Sequence, residues 1–167
     1  MLVACSPQSQ APAQNPAGDE PVQTQPPADQ TPQVELLGQG PQTGLRETAL
    51  TIQSGSKVHH FTVEVAASPD EQERGLMFRK SVAPDRGMIF PYDPPTDASF
   101  WMKNTLIPLD LVFVRPNGTV GRVAPDAVPM SLDPIPSLEP ISAVIEIAGG
   151  RAAELKIDEG DKVTWQH

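Results

Sequence analysis

From Thr48 onward, apolar and polar residues alternate with a period of two in short runs, and that period predicts strands. Thr48 to Gln53 and Val58 to Ala66 alternate around Ser54-Gly55-Ser56-Lys57, which reads as a tight hairpin. Gly87 to Tyr92 reads as a short strand, ended by Pro91 and the Asp93-Pro94-Pro95-Thr96 loop. Phe100 to Lys103 follows, with Phe100 and Met102 on one face and Trp101 and Lys103 on the other. After Asn104-Thr105 breaks the run, Leu109 to Val114 is apolar on both faces and predicts a central strand. Arg115-Pro116-Asn117-Gly118 is a turn that returns the chain into Thr119 to Ala124. Ile141 to Ile147 is a second buried-type strand, and Lys162 to Trp165 is the last.

Two stretches break this period as helices. Ser68-Pro69-Asp70-Glu71 supplies an N-cap, a proline in the first turn and two acids on the positive end of the helix dipole. Glu71 also completes a capping box, and Gly75 stops the helix after about two turns. A brief helix around Arg151 to Lys156 follows Gly149-Gly150. The Pro125 to Pro140 loop holds five prolines and no regular pattern, and long loops on a rigid sheet are common binding elements.

Charge and composition divide the chain. Every one of the 12 Lys and Arg residues lies at Arg46 or later, whereas the leading residues are rich in Pro, Gln and Ala. Residues 6–44 are therefore expected to be a disordered tether, unable to bury enough surface to offset its ordering entropy, with Val34-Glu35-Leu36-Leu37 as its one apolar patch. Residues 45–167 are expected to form a single β-rich domain. Net charge of −9 argues against a nucleic-acid partner, which calls for a basic surface. Cys5 is the one cysteine, so no internal disulfide can form. Leu2-Val3-Ala4-Cys5 resembles a bacterial lipobox, although no charged n-region or apolar h-region precedes it. Residues 1–5 then read as the remnant of a lipoprotein signal, with lipid on Cys5 anchoring a periplasmic protein to a membrane.

Within the apolar strands two carboxylates are misfits, Asp110 and Glu146. Burying either is costly unless donors or a cation meet it. For Asp110 the nearest candidates in sequence are Lys103, Asn104, Thr105 and the N–H groups of the turn. Either Asp110 pins a corner of the fold or that corner is one wall of a ligand site. Arg74 and Arg79, at the end of the first helix, either satisfy its last carbonyls or clamp an anion. His59 and His60 are adjacent on a strand and face opposite sides, so they do not converge on one metal.

The words Arg74-Gly75-Leu76-Met77-Phe78-Arg79, Gly87-Met88-Ile89-Phe90, Phe100-Trp101-Met102-Lys103-Asn104-Thr105, Ile107-Pro108-Leu109-Asp110 and Gly160-Asp161 occur together in order. In this the chain resembles the domain of unknown function 192 family over roughly residues 58–164. The resemblance implies a compact, mostly β sandwich or barrel domain, often exported, with no established activity. Met130 to Ser137 departs from it, standing where a shorter segment is expected.

The fold expected is mainly β, a compact antiparallel β sandwich or barrel with one or two short helices behind a disordered tail. Three functions follow from the residues. The first is a non-catalytic envelope module that binds a small ligand or an envelope protein, in a groove walled by Trp101, Lys103 and the Pro125–Pro140 loop. Its expected binding residues are Arg74, Arg79, Trp101, Lys103, Asn104 and Asp110, and no cofactor is expected. The second is a hydrolase of an envelope sugar or peptide, using Asp110 and Glu146 as an acid–base pair. The third is Cu(I) binding by Met77, Met88, Met102 and Met130 near Trp101.

Overall fold

The computed structural model describes residues 40–166. Nine strands and two short helices make up this part of the chain. They are β1 (Glu47–Ser54), β2 (Lys57–Val65), α1 (Pro69–Arg74), β3 (Arg86–Thr96), β4 (Ser99–Phe100), β5 (Leu109–Val114), β6 (Val120–Ala127), β7 (Ile135–Pro136), β8 (Ile141–Ala148), α2 (Arg151–Leu155) and β9 (Lys162–Trp165). Seven strands form one sheet in the order β6-β5-β8-β3-β2-β1-β9, while β4 and β7 pair separately. The outermost strands of the large sheet meet. Val163 N–H donates to the Gly118 carbonyl at 2.8 Å, Val120 N–H donates to the Asp161 carbonyl at 2.8 Å, and Thr119 bridges Lys162. The sheet thereby closes into a barrel and leaves no free edge at that seam.

The mainly β expectation holds, with one refinement: β2 and β3 are parallel neighbours, whereas the other pairs are antiparallel. A parallel pair needs a crossover of a dozen or more residues, and the segment carrying α1 supplies it. Most boundaries fall within a residue or two of the alternating runs. The exceptions are β3, which continues past Pro91 to Thr96 through an irregularity in register, β6, which runs three residues past Ala124 to Ala127, and the Phe100–Lys103 run, of which only Phe100 is strand, with Ser99 before it. The proline-rich loop contains β7, because Ser99 and Phe100 take Pro136 and Ile135 as partners.

Alternation builds a core on each face of the sheet. Inside the barrel lie Leu50, Ile52, Phe61, Val63, Ile89, Val112, Ile145 and Ile147, with Ala152 and Ile157 filling one end. On the outer face Met88, Phe90, Leu109, Leu111, Phe113 and Val144 form a second core, covered by Leu76 and Met102. Of the residues expected in the tether, 40–44 are described, and they lie against the domain. Gln42 donates from Nε2 to the carbonyls of Glu71 at 3.0 Å and Gly75 at 2.8 Å, and Leu45 packs against the outer core.

Asp110 lies fully buried on the inner face beside Val112 and Val114. Its Oδ1 accepts from the N–H groups of Asp126 at 2.8 Å and Gly150 at 3.0 Å, and its Oδ2 accepts from Ala152 N–H at 2.7 Å. The expected partners Lys103, Asn104 and Thr105 are thus replaced by backbone donors from β6 and from the start of α2. Gly150, which caps α2, supplies no side-chain bond of its own, so Asp110 does this from across the barrel end. We expect Asp110→Asn, which turns an N–H group toward a donor, to lower urea-unfolding stability by about 2–3 kcal/mol. A loss below about 0.5 kcal/mol would show that the corner does not depend on the charge.

Candidate functional site

Period-two alternation in β3 sets Met88, Phe90 and Tyr92 on the outer face, and Glu146 of β8 stands opposite Met88 in the register. The two strands approach closely here. A Cβ at Gly87 would lie 2.4 Å from the Glu146 carbonyl oxygen, so this position accepts only glycine. Phe100 stands edge-on to Phe90, ring centres 5.2 Å apart, and to Phe113 at 6.2 Å. On the other side α1 is tied down by Gln72, whose Nε2 donates to the carbonyls of Ala66 at 3.2 Å and Pro91 at 3.1 Å. Between α1 and the segment from Ser99 to Thr105 opens a cleft of about 400 Å³.

Phe90, Tyr92, Phe100 and Trp101 give the cleft aromatic walls, Glu73 and Arg74 stand on α1, and Glu146 lines it with only 5 % of its surface exposed. Among the described residues the Glu146 carboxylate has no hydrogen-bond or ion-pair partner. Burial pushes its carboxyl up to about 8, because no cation or donor offsets the loss of water. Burial first, and the Glu146 charge second, push the Tyr92 hydroxyl up to about 12.

Residues 50–165 match the family model DUF192, described as an uncharacterized ACR. The chain belongs to the DUF192 family. It is 46% identical to a protein of unknown function from Novosphingobium aromaticivorans DSM 12444; the match covers 75% of this chain and 89% of that one, with a TM-score of 0.73 between the structures. It is 34% identical to a Sinorhizobium meliloti 1021 protein described as a candidate transcription regulator, over 74% of this chain and 97% of that one, with a TM-score of 0.72. Among proteins with curated descriptions none matches.

In this DUF192 chain the residues singled out from sequence separate into distinct places. Arg74 and Trp101 line the cleft. Arg74 also borders a neighbouring depression of about 490 Å³ with Lys103 and Asn104. There its guanidinium donates to the Gly40 carbonyl and lies 5.7 Å from the Phe78 ring centre. Lys103 Nζ rests 5.1 Å from the Trp101 ring centre, and Asn104 donates to the Met77 sulfur at 3.8 Å. Arg79 is held by Glu64 at 2.6 Å and by the Gln42 carbonyl, so it is paired rather than presented to an anion. The expected single groove divides, because the Pro125–Pro140 loop lines a third depression with Met102 and Arg122. Its backbone is pinned to the strip beside the cleft through Met102 N–H to Ser131 and Met130 N–H to Thr105.

The hydrolase pair does not form. Asp110 faces the barrel interior with Val112, whereas Glu146, opposite Leu111 and Met88, faces outward, so the sheet itself separates the two carboxylates. The copper set is used differently as well. Met88 and Met102 are sealed in the outer core and offer no sulfur to an ion from solvent, while Met130 is exposed on the loop. Cys5 and Val34–Leu37 lie outside the described residues.

Sequence reasoning did not pick Phe90, Tyr92 and Phe100 as site residues, although the alternation that put Met88 with Phe90 also carries Tyr92. A raised carboxyl means that the folded chain keeps a proton the unfolded chain has already lost between pH about 4.5 and about 8. Stability therefore falls as pH rises through that window. Urea unfolding at pH 5 and pH 9 is expected to show that Glu146→Gln removes a decline on the order of 4 kcal/mol. Parallel curves for variant and parent would contradict this account of the carboxylate.

Proposed function

We propose that this DUF192 chain is a non-catalytic binding module that takes a small organic ligand in the cleft between α1 and the Ser99–Thr105 segment. The observation that carries the reading is an unpaired carboxylate on a residue only 5 % exposed, at the wall of an aromatic cleft. A buried carboxyl without a partner is costly, so much so that burial holds its proton on, and structural carboxylates such as Asp110 are fully supplied with donors. Ser99 and Thr105 bring hydroxyls to the cleft, but among the described residues lining it there is no His, Cys or Lys to activate them, which supports binding over catalysis. The net charge of −9 opposes a nucleic-acid role of the kind the description of the Sinorhizobium protein suggests.

The setting we propose is the bacterial periplasm, with lipid on Cys5 anchoring the domain to a membrane and an envelope protein as the other class of partner. This rests on Leu2-Val3-Ala4-Cys5 and the Pro/Gln/Ala-rich stretch behind it. Among the described residues no helix is long and apolar enough to cross a membrane.

A fragment library screened by NMR tests the cleft. Ligands are expected to shift the signals of Tyr92, Phe100, Trp101 and Thr105, and Trp101→Ala is expected to weaken them about tenfold. Hits that map to the barrel ends and spare these residues would refute the reading. Metabolic labelling with a fatty-acid probe is expected to mark the protein in bacteria and to be lost in Cys5→Ser; label that survives the substitution would remove the anchor.

A further inference from the structure

We infer that the ligand of this cleft is an organic ammonium cation, held between the Glu146 carboxylate and the aromatic walls; the inference rests on the binding-cleft reading and names its chemical class. Two independent features of the site converge on it. The first is Glu146, 5 % exposed, lining the cleft without a hydrogen bond or ion pair among the described residues. An acid withdrawn from water gains most from a positively charged guest, because the guest supplies the counter-charge the fold withholds. The second is the set of rings. Phe90, Tyr92, Phe100 and Trp101 line the same cleft, and aromatic faces attract cations, above all when both are desolvated. A ring here already attracts an ammonium, since Lys103 Nζ sits 5.1 Å from the centre of Trp101.

The charges around Glu146 favour the same guest. From β3 it faces apolar Met88, with Tyr92 close enough for the Glu146 charge to raise its hydroxyl, and from β5 apolar Leu111. Ser99 and Thr105 bring only neutral groups, and α1 contributes Glu73 and Arg74. Arg74 is engaged by the Gly40 carbonyl and the Phe78 ring, which leaves Glu73 and Glu146 as the unengaged acids of the lining. An anionic guest would face both acids, and a neutral one could hydrogen-bond Glu146 but would supply no counter-charge. The overall charge of −9 adds a field that draws cations.

Binding is then coupled to a proton. With its carboxyl raised to about 8, Glu146 is largely neutral at pH 7, so a cation must displace that proton to form the pair. Affinity rises with pH up to about 8 and levels off above it for a cation that does not itself titrate.

The test is calorimetric titration of the full chain with choline and phenethylammonium, alongside the neutral carbon isostere of choline and phenethyl alcohol. The cations are expected to bind at least about tenfold more tightly than their isosteres at pH 7. They are also expected to release about one proton each, read from the heat in buffers of different ionisation enthalpy. Glu146→Gln should abolish both the preference and the proton release, while Tyr92→Phe should keep the release. If Glu146→Gln does not fold, the proton count and pH profile of the unaltered protein decide. Equal affinity for charged and neutral probes, without proton release, overturns the cation while leaving the cleft as a site. Failure of every probe to bind also overturns it, and the fragment mapping then judges the cleft separately.

Discussion

The α2 end of the barrel depends on one carboxylate. Asp110 sits among valines on the inner face, where an unsolvated charge would be prohibitive, and three backbone N–H groups converge on it from β6 and α2. Those N–H groups belong to chain ends that the barrel cannot pair by itself, namely the distal part of β6 and the first turn of a helix capped only by glycine. Acid and donors solve each other's problem, and α2 is thereby fixed where Ala152 and Ile157 can fill the barrel. Asp110 stands on β5, and the neighbouring β8 carries Glu146 on the opposite face of the sheet, at the wall of the cleft.

The sheet is used twice. Its inner side is a closed apolar core, and its outer side carries a second core that α1 and the segment around Met102 cover only in part. A pleated strand sends successive side chains to opposite faces, so Asp110 and Glu146, on neighbouring strands, end in different environments. One is surrounded by donors and the other by rings. The contrast separates scaffold from site: the acid that the fold satisfies is structural, and the acid that it leaves unpaired lines a space.

Much of the barrel was legible in the sequence because its signals are local. Period-two alternation, the Ser68-to-Glu71 capping box and the Asn117-Gly118 turn each act within a few residues, and the capping box is present with both of its bonds. The parallel β2–β3 pairing was not legible, because nothing local distinguishes a strand that returns antiparallel from one reached by a crossover. The division of the proposed groove followed from contacts at long range, such as Met102 with Ser131, which no spacing encodes. Gln42 is a similar case. Its stretch has no apolar period, and its place comes from its side-chain amide reaching the carbonyls of Glu71 and Gly75 and from Arg74 and Arg79 holding its backbone. The misfit acids were visible at once, but their partners were not: the donors to Asp110 come from 16, 40 and 42 residues away.

The run from Gly40 to Gln42 enters the domain along α1, clasped by Arg74, Arg79 and the Gln42 amide. It touches the wall of the cleft before it reaches any strand of the barrel. A pull on the leading end of the chain is therefore delivered first to α1 and that wall, and reaches β2 and β3 only through side chains, Arg79 with Glu64 and Gln42 with Met88. Shortening the protein to begin at Leu45 would spare every strand yet remove the backing of α1, so the point at which the domain is cut governs the shape of its opening.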